Sequence, residues 1–339
     1  MNALVNDKNF GEIITDYSTG TVTLTHDRLD DVTLFSDRGS LQKIALNDAK
    51  GRPTNYFGLE NTVTGELIDS PPVSRGYKLV DHALAFQHQA KTILGNPDLP
   101  HSNFTVVDKI IEGGRKATRA IYFNDLTWDI DGRGKGVTAR ADLINSIDMS
   151  SAFQIFAGAY REYCENTCVF GGAKTYHQKR KHTRNLSPES MIAKAILSMA
   201  MFEHNRDQMN NWRTINLDPS QWVEIMENTL CKKGGAGTAL STDKKARVNG
   251  KLLDYMMYRF REEQRELGST LWAGYNALTH WATHTDETFE RVSDDGKVTT
   301  LQTGRTGSNR DLVQMQRQAD VRKVLESPEW MTLEGTLAA

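Results

Sequence analysis

The residues best suited to chemistry fall between Lys174 and Arg184. Lys174, Lys179, Arg180, Lys181 and Arg184 share one segment that holds no acid, and Tyr176, His177 and His182 stand among them. Cations take phosphate oxygens and release the counterions condensed on a nucleic acid, while a ring face takes an unstacked base. Lys174, Tyr176, Lys179, Arg180, Lys181 and Arg184 are therefore the expected nucleic-acid-binding residues. Arg115 and Lys116 come second: they follow Gly113-Gly114 and are expected to project at a hairpin tip. The plainer reading of such a charge run, a solvated loop, stands beside the binding reading.

Other chemistry finds little support. Cys164 and Cys168 are four apart on an expected helix, with His177 and His182 downstream. A structural zinc string has a longer middle segment between its cysteine and histidine pairs, so the cysteines are expected to be metal-free apolar packing residues. The chain has no GxxxxGK[ST] phosphate loop, no HExxH, no GxSxG and no GxGxxG after a strand. GGAGTALS (234–241) lacks the phosphate-loop lysine, and WDIDGRGKG (128–136) lacks the closing glutamate of a calcium loop. Asp81, His82 and His88 read as cap and surface residues. The expectation is a binding protein, not an enzyme, with no cofactor and no metal.

Composition agrees with a local basic site on a nearly neutral body. The 339 residues include 43 acids and 41 bases, a net charge of −2. Three cysteines do not make a disulfide framework and fit a reducing compartment. The polar, acidic start MNALVNDKNFGEIITDY is unlike a signal peptide, and no apolar run approaches the length of a membrane span. A cytoplasmic protein with no membrane partner is expected.

The elements that must position these residues follow from pattern. TGTVTLTH (19–26) and DVTLF (31–35) alternate like half-buried strands, and Pro71-Pro72 closes a loop-rich first region. Asp81 caps a helix over 83–94 with a stripe at Leu84, Ala90, Ile93 and Leu94, stopped by Gly95 and Pro97. FTVVDKIIE (104–112) and RKATRAIYF (115–123) around Gly113-Gly114 form a hairpin, and GVTARADLINS (136–146) adds a third strand. A helix is expected over 150–169 and another over 188–212, capped by Ser187 with Pro188 in its first turn. Further helices are expected at 219–230, 252–267, 269–283 and 311–326. KKGGAGTALSTDKKARVNGK (232–251) reads as a basic loop and 296–310 as a polar connection. The fold class is α+β: a small antiparallel meander packed with helices, then a mainly helical C-terminal half. The expected domains are an arm or small β subdomain (1–75), an α+β core (76–185) and a helical region (186–339).

Several strings resemble a known family. GYKLVDH (76–82), NSIDMSSAF (145–153), YREYCENTCVFGG (160–172) with the later KHT (181–183), and TLWAGYNALTHWATH (270–284) are similar to the YfjQ/YafZ-like proteins of phages and plasmids, a domain of unknown function. The resemblance covers roughly residues 76 to 326 and implies a setting in mobile DNA, without a mechanism. The order helix, meander, helix is also similar to the core of single-strand annealing recombinases, which implies single-stranded DNA in a basic groove on an oligomer. Together these give a phage or mobile-element DNA-metabolism protein that binds single-stranded DNA or another nucleic acid, with annealing or recombination as its process. It would act as a homo-oligomer. The alternative from another class is a non-enzymatic inhibitor that binds a host or phage protein in the manner of anti-restriction proteins. A metal-dependent nuclease ranks last.

Overall fold

A computed structural model describes residues 2–7, 11–16, 21–36, 41–99, 102–111, 114–130, 136–161, 166–168, 177–199, 202–231, 249–285, 288–292, 298–302 and 310–335. The fold is α+β, with helices concentrated in the C-terminal half. The chain divides into two compact units, one of residues 1–127, 138–158 and 174–202, the other of 128–137, 159–173 and 203–339.

The first unit opens with β1 (Asn2–Asp7), β2 (Gly11–Asp16), β3 (Thr21–His26) and one helical turn, α1 (Thr33–Ser36). Then come β4 (Leu41–Asn47), β5 (Pro53–Asn61) and β6 (Val73–Ser74), a small sheet of their own. Helix α2 (His82–Leu94) leads to β7 (Phe104–Ile111), β8 (Lys116–Trp128), β9 (Val137–Ser146) and β10 (Phe153–Arg161). The last residues of β10 pair with β11 (Asn166–Cys168) in the second unit. The chain then returns to the first unit with β12 (His177–Arg180) and α3 (Pro188–Met199). In this unit the large sheet runs β1-β2-β3-β7-β8-β9-β10, and β12 also pairs with β10.

The hairpin forms where alternation and the glycine pair place it. β7 alternates buried and half-buried residues along its length and pairs antiparallel with β8 from Phe104↔Phe123 to Ile111↔Lys116. Gly114 has φ of 100°, a conformation a side chain would resist; residues 112–113 lie outside the described residues. Register sets Asp108 opposite Arg119. Arg119, wholly buried, donates to both Asp108 oxygens at 2.7 Å and to the carbonyls of Leu29 and Asp31. Its guanidinium lies 5.7 Å from the Phe35 ring and 5.3 Å from that of Phe86. His26 completes the group, Nε2 to Asp108 Oδ2 at 3.0 Å.

Three expectations are corrected here. Residues 150–169 are not a helix: Phe153–Ala159 is a run of seven buried residues in strand β10, and Cys168 lies on strand β11. A short apolar run suits a buried strand and a buried helix equally, and pairing with β12 and β11 decides it. Cys164 lies outside the described residues. DVTLF is a turn and α1, because the Asp31 carboxylate accepts the Thr33 N–H at 2.9 Å and bends the chain. In α2, Asp81 caps Leu84 N as expected, but Leu84 and Leu94 are exposed. The inward face is His82, Ala85, Phe86, Gln89, Ala90 and Ile93, fixed by Phe86 packing on Phe35 at 4.3 Å. Over 188–212 the described residues are helical as expected, in Pro188–Met199 and Phe202–Trp212, and 200–201 lie outside the described residues.

The second unit contains α4 (Phe202–Trp212), α5 (Pro219–Asn228), α6 (Gly250–Leu267) and α7 (Leu271–Thr283). β14 (Val298–Gln302) lies where a polar connection was expected and pairs with β13 (Thr288–Val292), and α8 (Arg310–Leu325) and α9 (Pro328–Glu334) follow. The basic segment 232–248 lies outside the described residues. α7 packs against α6, α8 and β11 and is buried from Leu271 to Ala282 except at His280. Trp272 stacks on Tyr275 at 5.4 Å, and Tyr275 meets Trp212 at 4.8 Å. A Cβ on Gly274 would stand 2.7 Å from Leu217 Cδ2 and 3.2 Å from the Trp222 ring, so this helix needs glycine for its approach. Among the described residues no helix is long and apolar enough to cross a membrane.

Candidate functional site

Three strings far apart in sequence meet in the first unit. Residues 74–77, the loop 149–152 and the segment 179–185 line a cavity of about 1100 Å³. Tyr77 is one of the lining residues. The ring is buried in a cluster with Leu59, Val73 and Ile147, and its hydroxyl donates to the Ser146 carbonyl at 3.1 Å. Burial pushes the Tyr77 hydroxyl well above the ordinary phenol range, against the opposing pull of the Met149 backbone.

His182 stacks on Tyr77 at 5.0 Å, and Phe153 meets it edge-on at 6.5 Å. Its Nδ1 lies 3.1 Å from the Lys78 carbonyl, while Lys78 N–H donates to the His182 carbonyl at 3.0 Å. Burial lowers the His182 pKa, so the ring is neutral at pH 7, with Nδ1–H donated to Lys78. The Lys78 ammonium reaches the Leu186 carbonyl at 2.7 Å, tying the same two segments together.

The loop between β9 and β10 is held by its own side chains. Ser146 Oγ donates to the Ser151 carbonyl at 2.9 Å and accepts the Ser151 N–H at 3.1 Å. Asp148 accepts both the N–H and the hydroxyl of Ser150. Asn145 donates to the Val80 carbonyl at 2.8 Å and to His82 Nδ1 at 2.9 Å, coupling the loop to the start of α2.

The expected cations divide sharply. Lys179, Lys181 and Arg184 line the cavity, all three exposed and without an ion-pair partner among the described residues. Strand alternation separates them from Arg180, which is exposed but absent from the lining. Lys174 and Tyr176 lie outside the described residues. Arg115 and Lys116 are not an exposed tip. Lys116 is buried, and Arg115 donates to the Asp69 carbonyl at 3.3 Å with its Nε 3.9 Å from Asp148. Arg115 thus supports the loop from behind.

A further cation escaped the sequence reading. Lys43, on β4, donates to the carbonyls of Tyr77 and Arg75, and its ammonium lies 5.8 Å from the Tyr77 ring centre. Burial, then the charge of Arg184, lowers its pKa. Tyr77 and Met149 also went unnamed as site residues, although GYKLVDH and NSIDMSSAF contain them. No group of three or more His, Cys, Asp or Glu side chains placed to hold a metal occurs among the described residues.

The geometry defines a cationic cavity on an α+β unit, suited to an anionic ligand. The chain belongs to a family described as a domain of unknown function (DUF932), whose model matches residues 126–319. That match includes the loop and the cation segment but not Tyr77. No curated protein and no solved structure matches the chain.

Proposed function

We propose that this protein binds single-stranded nucleic acid at the cavity of its first unit, as a DNA-metabolism protein of a phage or mobile element. The observation that carries the reading is the convergence of Lys179, Lys181 and Arg184 on one cavity, exposed and unpaired with acids among the described residues. Cations held this way release counterions when phosphates replace them. The reading extends to a YfjQ/YafZ-like relationship within the family, to annealing or recombination as the process, and to a cytoplasmic homo-oligomer. It involves no covalent chemistry.

Fluorescence anisotropy of a labelled single-stranded oligonucleotide across a salt series tests it. Wild-type affinity is expected to fall steeply with salt. Changing Lys179, Lys181 and Arg184 together to Ala should reduce the log–log slope by about 2, at roughly 0.7 per phosphate contact on a single strand. Arg180→Ala, on the other face of the strand, should change the slope far less. Wild-type protein that binds neither single strands nor duplex at low salt would sink the reading. Capture of one host protein by that inactive protein would then favour the inhibitor class.

A further inference from the structure

We infer that the cavity holds one nucleotide unit, its phosphate against Lys179, Lys181 and Arg184 and its base against Met149. This rests on the nucleic-acid reading above and deepens it by naming the ligand unit and the residue that meets the base.

The volume is the first argument. About 1100 Å³ is room enough to admit a nucleotide. The second is Met149 itself. It lines the cavity with 46% of its surface exposed, although its side chain is apolar. Its backbone has φ of 64°, the left-handed region that residues with a Cβ other than Asn and Asp rarely occupy. Such a conformation persists when surrounding bonds over-determine it, and here the Ser146–Ser151 and Asp148–Ser150 bonds bracket Met149 on both sides. The result is a polarisable thioether side chain fixed at a cavity that also carries three cations, a pairing that suits a ligand with both an anionic and a flat aromatic part. The third argument is His182. Its Nε2 is buried without a hydrogen-bond partner among the described residues, and in a neutral ring that donates Nδ1–H to Lys78 this nitrogen is an acceptor. An amino or hydroxyl group on a nucleotide is the kind of donor it would take.

The probes are deoxyadenosine 5′-monophosphate, inorganic phosphate and an oligo(dA) strand, measured by calorimetry and by competition on the full chain. The mononucleotide is expected to bind and to displace the oligonucleotide. Met149→Gly removes the side chain and Met149→Asn replaces the thioether with a short polar group, and both residues accept the left-handed backbone, so both variants should keep or raise the melting temperature. Both should weaken the mononucleotide about tenfold, a loss within the range seen when a base loses its stacking partner, and leave phosphate binding unchanged. Lys181→Ala should weaken both small ligands. Oligonucleotide binding without mononucleotide binding would overturn this inference and leave the broader reading standing. Phosphate binding as tight as the mononucleotide's, or wild-type mononucleotide affinity in both Met149 variants, would overturn it too. Binding of none of the three probes would remove both readings together.

Discussion

His82 occupies the first position of α2 with both ring nitrogens engaged, Nδ1 by the Asn145 amide at 2.9 Å and Nε2 by the Gly114 carbonyl at 3.1 Å. It was expected at the surface, and it is buried. Only the neutral ring with its proton on Nε2 serves both partners. Burial lowers its pKa to about 4, against the opposing pull of the Gly114 carbonyl. The unfolded chain, with a histidine near 6.5, therefore binds a proton that the folded chain refuses between those values. Stability from this group is complete above pH 6.5 and is lost as pH falls toward 4, by about 3 kcal/mol in all. His182, also lowered by burial, adds in the same direction. Urea unfolding of the wild type and His82→Gln across pH 7 to 4 checks this: the variant should lose less stability over that range. Parallel pH profiles would disprove it.

At the scale of elements, α7 separates a core role from a site role. Its family-like string tempts a catalytic reading of Tyr275, Asn276, Thr279 and His280. Tyr275, Asn276 and Thr279 are fully buried, with Asn276 donating to the Trp272 carbonyl at 2.7 Å. Trp272, Tyr275, Leu278 and Trp281 are buried, and burial extends around nearly the whole helix. Trp272→Ala should cost about 3–5 kcal/mol, the usual penalty for removing a buried indole. A variant with an unchanged melting temperature would show that this helix is not the core of its unit. The strands carry a second lesson. Alternation and the glycine pair made the β7–β8 hairpin and β9 legible, since period-2 burial is written in residue order. β10 was misread because a strand buried on both faces loses that alternation. β14 reads as a polar connection because VTTLQ holds too few apolar residues to show a period.

For the whole molecule, the units are interleaved in sequence, and this has a measurable consequence. The family match begins at residue 126, inside β8, whereas β9, β10, β12 and α3 belong to a unit whose β3, β7 and α2 precede it. A fragment of residues 126–319 would leave the β9 edge unpaired and the inward residues of that sheet in water. It should aggregate or show no cooperative melt, whereas the full chain melts cooperatively, as calorimetry and size-exclusion chromatography would show. A soluble fragment with a sharp transition would refute this. The same interleaving explains what could be known in advance. Local pattern determined the fold class, the capped helices, the hairpin and the acid-free cation run, because propensity, caps and alternation act over a few residues. Only tertiary structure decided which cations share a cavity, that Tyr77 and Met149 stand with them, and that Arg115 and Lys116 turn inward. Those outcomes depend on strand pairing and burial between segments as much as a hundred residues apart, and no short-range period records them.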